Sequence, residues 1–430
     1  MIIRSKVQWY EEGEMSSKYF LSLEKNHAVR KHIRRLTLQD GSSTTDPVQI
    51  LQLQKQFYEN LYKNGVNEQA IYTNTERKFL EDSNIPVLSE DSKYLCEGAI
   101  TIQECEKILT TFKKNKSPGN DGLTYEFYIQ FWDAIKDVFV SCLNYAFIKG
   151  ELSTSQKQAV ISLIDKKGKD KLLLKNWRPI SLLNCDYKIA SKVIAARIKQ
   201  VLPKLVHTDQ SGFVDGRNLS SSLRTVLDII DITNYEKLNG LLIFVDFEKA
   251  FDTVNHNFLF NVLDRYNFGP DFIQWIKTFY KDIVSCVINN NVSSEYIKIE
   301  RGVRQGDPLS PYLFVIVAEI LSVNIRSDNL IKGIQCNTQE VKLTQYADDT
   351  TGIFADLPSA KQFLKIVEMF SLCSGLRLNI DKTEGMWLGK DKTKPLTPFG
   401  INWPPGPIKF MVCVLVITRR IWRFLTSDTR

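Results

Sequence analysis

Three aspartates carry the sharpest chemical signal in this sequence. Asp348 and Asp349 stand side by side in "LTQYADDTTGIF" (343–354), between two runs that read as strands. Their charges repel. Asp is common in turns because its side chain bonds the backbone, so "ADD" alone reads first as a turn. Asp246 changes the weighing. It directly follows the continuous apolar run Leu241–Val245, the pattern of a strand covered on both faces. A lone carboxylate at the end of such a strand is poorly solvated, and is avoided unless something pairs with it. Three carboxylates at strand ends make a site for hard divalent cations, which prefer oxygen ligands. Two such ions, about 3.5–4 Å apart, can activate one oxygen and stabilise the leaving one in an in-line phosphoryl displacement. Positions 246 and 348 are 102 residues apart, so only a fold can bring them together.

The elements that must position these residues alternate in type. After Asp246, the residues Val254, Phe258, Leu259, Val262, Leu263 and Tyr266 make one apolar helix stripe. A hairpin, "SCVINNNVSSEYIKI", turns at its Asn run. "RGVRQGDPLSPYLFVIVAEILSV" is a polar loop feeding a buried helix, with Ser310 as N-cap and Pro311 at the first helical position. The aspartate hairpin (341–354) follows. The helix "SAKQFLKIVEMFSLCSG" then ends at Gly375, and "LRLNIDK" reads as a strand. The order strand–helix–hairpin–helix–hairpin–helix–strand predicts an α+β domain. Upstream, "QILQLQKQFYENLYKN" (49–64) has helical spacing. A helix near 100 stops at the loop "KSPGNDG", through Pro118, Gly119 and Gly122. "AVISLIDKKGKD" is a buried strand running into a basic turn, and a long helix surrounds "YKIASKVIAARIKQVLPKL".

With 430 residues the chain suits two or three domains. Its 43% hydrophobic and 24% charged residues argue against disorder. The net charge of +7 favours a polyanionic partner, and basic residues cluster at 1–35 and 166–178; solvated faces are the bland alternative. The eight cysteines form no CxxC pair and the four histidines are scattered, so no zinc site is expected and a reducing compartment is. The N-terminus has no signal-peptide apolar core. The apolar runs "YLFVIVA" and "FMVCVLVI" are far short of a membrane span. An intracellular protein of cytoplasm or nucleus, with no membrane partner, is the expectation.

"WRPISLLN", "FVDFEKAFDTV", "RQGDPLSP", "YADD" and "LNIDKT" occur in this order. Together they resemble the successive blocks of reverse transcriptases, and most closely those of non-long-terminal-repeat (LINE-type) retrotransposons. "KSPGNDGLTYEFY", "LIDKKGKD", "DQSGFVDGR" and "KIASKVIAARI" fit that subclass. The resemblance covers roughly residues 100–390, and "KVQWYEEGEMSSKYFLSLEK" is similar to the segment joining endonuclease and polymerase in such elements.

The resemblance implies a right-hand polymerase fold, fingers and palm, with an antiparallel palm sheet. It implies an RNA-directed DNA polymerase, using an RNA template, a DNA primer and dNTPs, with two magnesium ions (manganese as substitute). Asp246 and Asp348, with the backbone carbonyl of Phe247, would hold the metals. Asp349 would complete the catalytic and metal-binding set, though less directly engaged. Phe251 would collide with a ribose 2′-hydroxyl; a core aromatic is the plain alternative. Gln305 and Gly306 would line the incoming nucleotide and template, in a segment that is also a Gly-Pro turn before a helix. Arg178, with Lys166 before it, would grip the triphosphate, where a planar guanidinium suits phosphate oxygens. Lys382 would lie near the departing pyrophosphate. Solvated surface lysines are the alternative for Lys166 and Lys382.

The implied organisation is a helical N-terminal extension (1–95), fingers with part of the palm (96–239), palm (240–390) and an aberrant tail (391–430) in place of a thumb. The chain starts inside what resembles the joining segment, so no endonuclease is expected. After "PIKF" the text "MVCVLVITRRIWRFLTSDTR" departs from the family pattern, as after a frame shift. Without a thumb to hold the primer, weak salt-dependent RNA binding and little extension are expected. A catalytically silent remnant that only binds RNA is the alternative from another class. A group II intron maturase is disfavoured by the joining segment and the "KSPGNDG" block.

Overall fold

The computed structural model describes residues 33–38, 40–64, 79–81, 84–336, 338–390 and 397–404, with the backbone of strands at 408–410, 413–415 and 425–426. The first half supplies α1 (Pro47–Tyr62), α2 (Ile102–Leu109), α3 (Tyr125–Lys149), β1 (Gln158–Asp165), β2 (Trp177–Leu183), α4 (Cys185–Leu205) and α5 (Leu219–Tyr235). Next come β3 (Asn239–Val245), α6 (Ala250–Thr253), α7 (His256–Arg265), α8 (Pro270–Tyr280) and β4 (Val284–Asn289). The last group is α9 (Ser310–Ser327), β5 (Leu343–Tyr346), β6 (Asp349–Phe354), α10 (Leu357–Ser374) and β7 (Glu384–Gly389).

A four-stranded sheet has the order β5–β6–β3–β7, and all its pairings are antiparallel. Its centre is β3, and the strand's two-residue period explains its unbroken apolar run. Leu241, Ile243 and Val245 enter the main core, with Phe314 of α9 and Phe370 of α10. Leu242 and Phe244 turn to the other face, against Val226, Ile229 and Ile230 of α5. α9 is buried almost all round, from Leu313 to Leu321, as its composition requires.

The second sheet has β1 at its centre. β2 pairs with β1 antiparallel, and β4 pairs with β1 parallel, Val160 opposite Cys286. The Asn-run hairpin therefore belongs to this sheet, although its chain neighbours build the first one. Its turn matches expectation: Asn290 and Asn291 take φ 51° and 62°, the left-handed values a two-residue hairpin loop requires.

Three expectations change. Ser310 is not the cap of α9. Leu309 holds that position, and Asp307 accepts from the Leu309 amide at 3.4 Å and from the Ser310 hydroxyl at 3.4 Å. "LRLNIDK" forms only a bridge, Leu378 to Phe247, before a turn in which the Asn379 carbonyl accepts from Thr383 N at 2.9 Å. The strand follows it, as β7. The N-terminal region is less helical than expected where described: a two-residue hairpin (36–37 with 43–44) precedes α1, and Glu90–Tyr94 is a short helix. Residues 1–32 and most of the tail lie outside the described residues; within the tail, 408–410, 413–415 and 425–426 pair only antiparallel with one another. Among the described residues no helix is long and apolar enough to cross a membrane.

Candidate active site

The aspartate hairpin closes with Tyr346 opposite Asp349, leaving Ala347 and Asp348 as a two-residue turn. Ala347 takes φ 55°, the positive value such a turn needs at its first central position. The neighbouring pairing places Thr350 opposite Val245. Asp246, one residue beyond Val245, therefore falls beside the turn. Its carbonyl accepts from Asn379 N at 2.8 Å, and the Glu248 amide donates to Arg377 O at 2.8 Å, so backbone pairing continues past the strand end.

A cavity of about 420 Å³ opens here. Asp246, Phe247, Phe251, Asp348, Lys382 and the pair Lys166 and Arg178, at the end of β1 and in β2, all line it, as do Gln305 and Gly306. Asp349 does not line it; it begins β6 and is exposed. Accordingly, no group of three His, Cys, Asp or Glu side chains spaced for a metal occurs among the described residues. Burial pushes the Asp348 carboxyl above its usual range; the Asp246 charge adds to this and Arg178 opposes it. Lys382 Nζ lies 3.2 Å from Asp246 Oδ2. Burial holds Lys166 below the usual lysine range, and the charges of Lys382 and Arg178 lower it further.

Phe251 is both core and lining. Its ring stacks on Phe314 at 4.5 Å and 11°, while it faces the cavity half-buried. The Gln305–Gly306 loop is tied to β2 by Ser181 N donating to Gln305 O at 2.8 Å. Gly306 takes φ 105°, and a Cβ there would lie 2.9 Å from Ser181 O. Only glycine suits that backbone at that distance.

Three further residues shape the cavity without having been singled out in the sequence. Asp252 is fully buried; its Oδ1 accepts from Tyr62 OH at 3.1 Å and its Oδ2 from Gln305 Nε2 at 2.9 Å. Burial pushes its carboxyl up to about 6, against the pull of Lys249, Tyr62 and Gln305. Lys249 is pushed down to about 8 by burial, and its Nζ lies 4.3 Å from the Phe57 ring centroid. Arg304 donates from Nη2 to Lys157 O at 2.9 Å. The signal for Asp252 was available: a carboxylate inside the apolar stretch "AFDTV" must find partners. That Tyr62, 190 positions away, would be one of them was not.

The matched sequence now bears on this geometry. Residues 164–415 match the family described as reverse transcriptase (RNA-dependent DNA polymerase). The chain belongs to the reverse transcriptase family. Among its relatives, an uncharacterized 149 kDa protein of transposon TX1 from Xenopus laevis is 36% identical over 413 residues, covering 95% of this chain and 31% of the relative. The Pol polyprotein of the type-1 retrotransposable element R2 from Popillia japonica is 26% identical, covering 63% of this chain and 37% of the relative. The RNA-directed DNA polymerase of mobile element jockey from Drosophila melanogaster is 24% identical, covering 66% and 31%. This reverse transcriptase chain thus groups with proteins of LINE-type retrotransposons, and spans about a third of the length of these relatives. Its mixed sheets and helices fit an α+β polymerase fold.

Proposed function

We propose that this chain carries the polymerising site of a LINE-type element: RNA-directed transfer of a nucleotide from a dNTP to the 3′-hydroxyl of a DNA primer. In this reading the β5–β6–β3–β7 sheet is the palm, the β2–β1–β4 sheet belongs to the fingers, and the N-terminal extension reaches the site through Tyr62. The hairpin carrying β4 would then cross from the palm segment of the chain into the fingers.

The observation that carries the reading is the shared cavity. Asp246 and Asp348 line it together with Lys166, Arg178, Lys382 and Phe251. The donor set fits magnesium: two carboxylates, with the Phe247 backbone carbonyl beside them, are the hard oxygen ligands that ion takes. A dication would also offset the repulsion and burial that raise the Asp348 carboxyl. When bound, two magnesium ions supply activation of the attacking oxygen and charge stabilisation of the leaving pyrophosphate. Asp349, exposed and outside the lining, would tune the field rather than bind directly.

The chain's own residues do the rest. Five basic side chains (Lys166, Arg178, Lys249, Arg304, Lys382) and four carboxylates (Asp246, Asp252, Asp307, Asp348) line the cavity. Five against four leaves the formal balance positive, which suits a triphosphate. Arg178 offers a planar fork to phosphate oxygens. Phe251, braced on Phe314, sets a wall against a 2′-hydroxyl. Gln305, held by Asp252, and Gly306, pinned to β2, keep the loop above the nucleotide fixed.

The test is equilibrium binding of a radiolabelled dNTP with magnesium, beside primer extension on an RNA template. Magnesium-dependent dNTP binding that is lost in Asp348→Asn and weakened in Arg178→Ala is expected. RNA binding with no dNTP binding would instead support a silent remnant and overturn the reading.

A further inference from the structure

The block "DQSGFVDGR" (209–217) lines no part of the cavity, yet it packs directly behind the aspartate turn. We propose that Gln210 is a positioning residue whose side-chain amide holds the Ala347–Asp348 turn, and so aims Asp348 into the cavity. This rests on the reading of that cavity as the polymerising site.

The geometry is unusually complete. Gln210 is fully buried. Its Oε1 accepts from Ala347 N at 2.9 Å and from Gly212 N at 2.8 Å. Its Nε2 donates to Ala347 O at 3.3 Å and to Gln345 Oε1 at 3.4 Å. One amide thus uses all four of its hydrogen-bonding positions. Two of them take both backbone polar groups of the residue immediately before Asp348. Gly212 must be glycine for this approach, because a Cβ there would stand 2.4 Å from Ala347 N.

The clamp is itself fixed. Gln345 N donates to Asp209 O at 2.8 Å, and Ser211 N donates to Gln345 O at 3.0 Å, so residues 209–211 run as a parallel bridge along the open edge of β5. Gln345 Nε2 donates to Thr350 Oγ1 at 2.9 Å, joining both strands of the hairpin. Arg217 donates to the carbonyls of Val206 and Gln210, at 2.8 Å each. Arg326 holds the Asp209 carboxylate at 2.8 Å. A two-residue turn with a non-glycine residue at positive φ has little rigidity of its own. Here every backbone polar group of Ala347 is bound by a side chain anchored from outside the hairpin. Loss of such anchoring displaces a ligand by fractions of an ångström, which metal and transition-state geometry do not tolerate.

The experiment uses the full chain and Mn2+ alone as the probe, titrated by electron paramagnetic resonance. Gln210→Met keeps the shape and removes all four bonds; Gln210→Glu keeps the acceptor for Ala347 N and loses the donors. Ile353→Val, a core change in β6 away from the turn, controls for general loss of stability. The expected result is Mn2+ affinity about ten-fold weaker in Gln210→Met, intermediate in Gln210→Glu and unchanged in Ile353→Val, with all three melting cooperatively. Wild-type affinity in Gln210→Met overturns the clamp and leaves the polymerase reading standing. Affinity falling in step with melting temperature, Ile353→Val included, overturns it as mere structure. A wild-type chain that binds no Mn2+ overturns the clamp and the metal site together. Should Gln210→Met fail to fold, Gln210→Glu decides alone against the same control.

Discussion

Replacing Asp252 by Asn should stabilise the chain above about pH 6 and do progressively less below it. Asp252 sits fully buried between Tyr62 and Gln305, and burial pushes its carboxyl from an ordinary 3.8 up to about 6. A folded-state value raised above the unfolded one means that the folded chain prefers the proton. The associated stability is fully present below pH 3.8 and is lost as pH rises through 6, because the buried group must then ionise. The distance from 3.8 to about 6 is worth about 3 kcal/mol, at 1.36 kcal/mol per pH unit. Asn is uncharged, its Oδ1 can still accept from Tyr62, and its Nδ2 can donate to Gln305 once that amide turns its Oε1 inward, so it escapes that loss. The assay is urea or thermal unfolding of both chains from pH 3.5 to 8. The stability difference, variant minus wild type, should climb through that window by up to about 3 kcal/mol and level off above pH 7. A difference flat with pH would show that Asp252 is ionised at little cost, its charge already balanced by Lys249, and the reasoning fails.

Further outcomes follow from the same site and its supports. Phe251→Val should admit ribonucleotides into primer extension or nucleotide binding, because the shorter side chain frees space for a 2′-hydroxyl; unchanged dNTP-over-NTP preference would leave the ring a packing element only. Gly306→Ala should destabilise by about 1–3 kcal/mol, since alanine is strained at φ 105° and its Cβ would meet Ser181 O at 2.9 Å; a melting curve matching wild type would contradict this. His256 is buried, with Nε2 2.9 Å from Gly302 O, and burial lowers it to about 4. Its folded value lies below the unfolded 6.5, so its stability contribution is present above pH 6.5 and is lost as pH falls towards 4. His256→Gln should therefore flatten the acid limb of the stability curve by about 3 kcal/mol, and an unchanged acid limb would refute it.

The sequence by itself determined the local elements and the identity of the chemistry. An apolar run ending in Asp246, a hairpin around the aspartate pair and an Asn pair at 290–291 are decided within a few residues, by sterics and by the two-residue period of a strand. Gly375 likewise ends α10 in the left-handed conformation that its position foretold. What only the tertiary structure decided involves partners far apart in the chain. Parallel pairing of β1 with β4 carries no local signal, because an apolar strand pairs with whichever edge the fold presents. The same holds for Tyr62 reaching Asp252 across 190 positions, and Gln210 reaching Ala347 across 137. Ser310 as a cap and 376–382 as a strand failed for a related reason: Asp307 and Asn379 supplied better-placed bonds than the propensities allowed for. Burial then set the charges. A carboxylate's position in the sequence says what it can bind, but how reluctantly it ionises depends on which walls the rest of the chain has built around it.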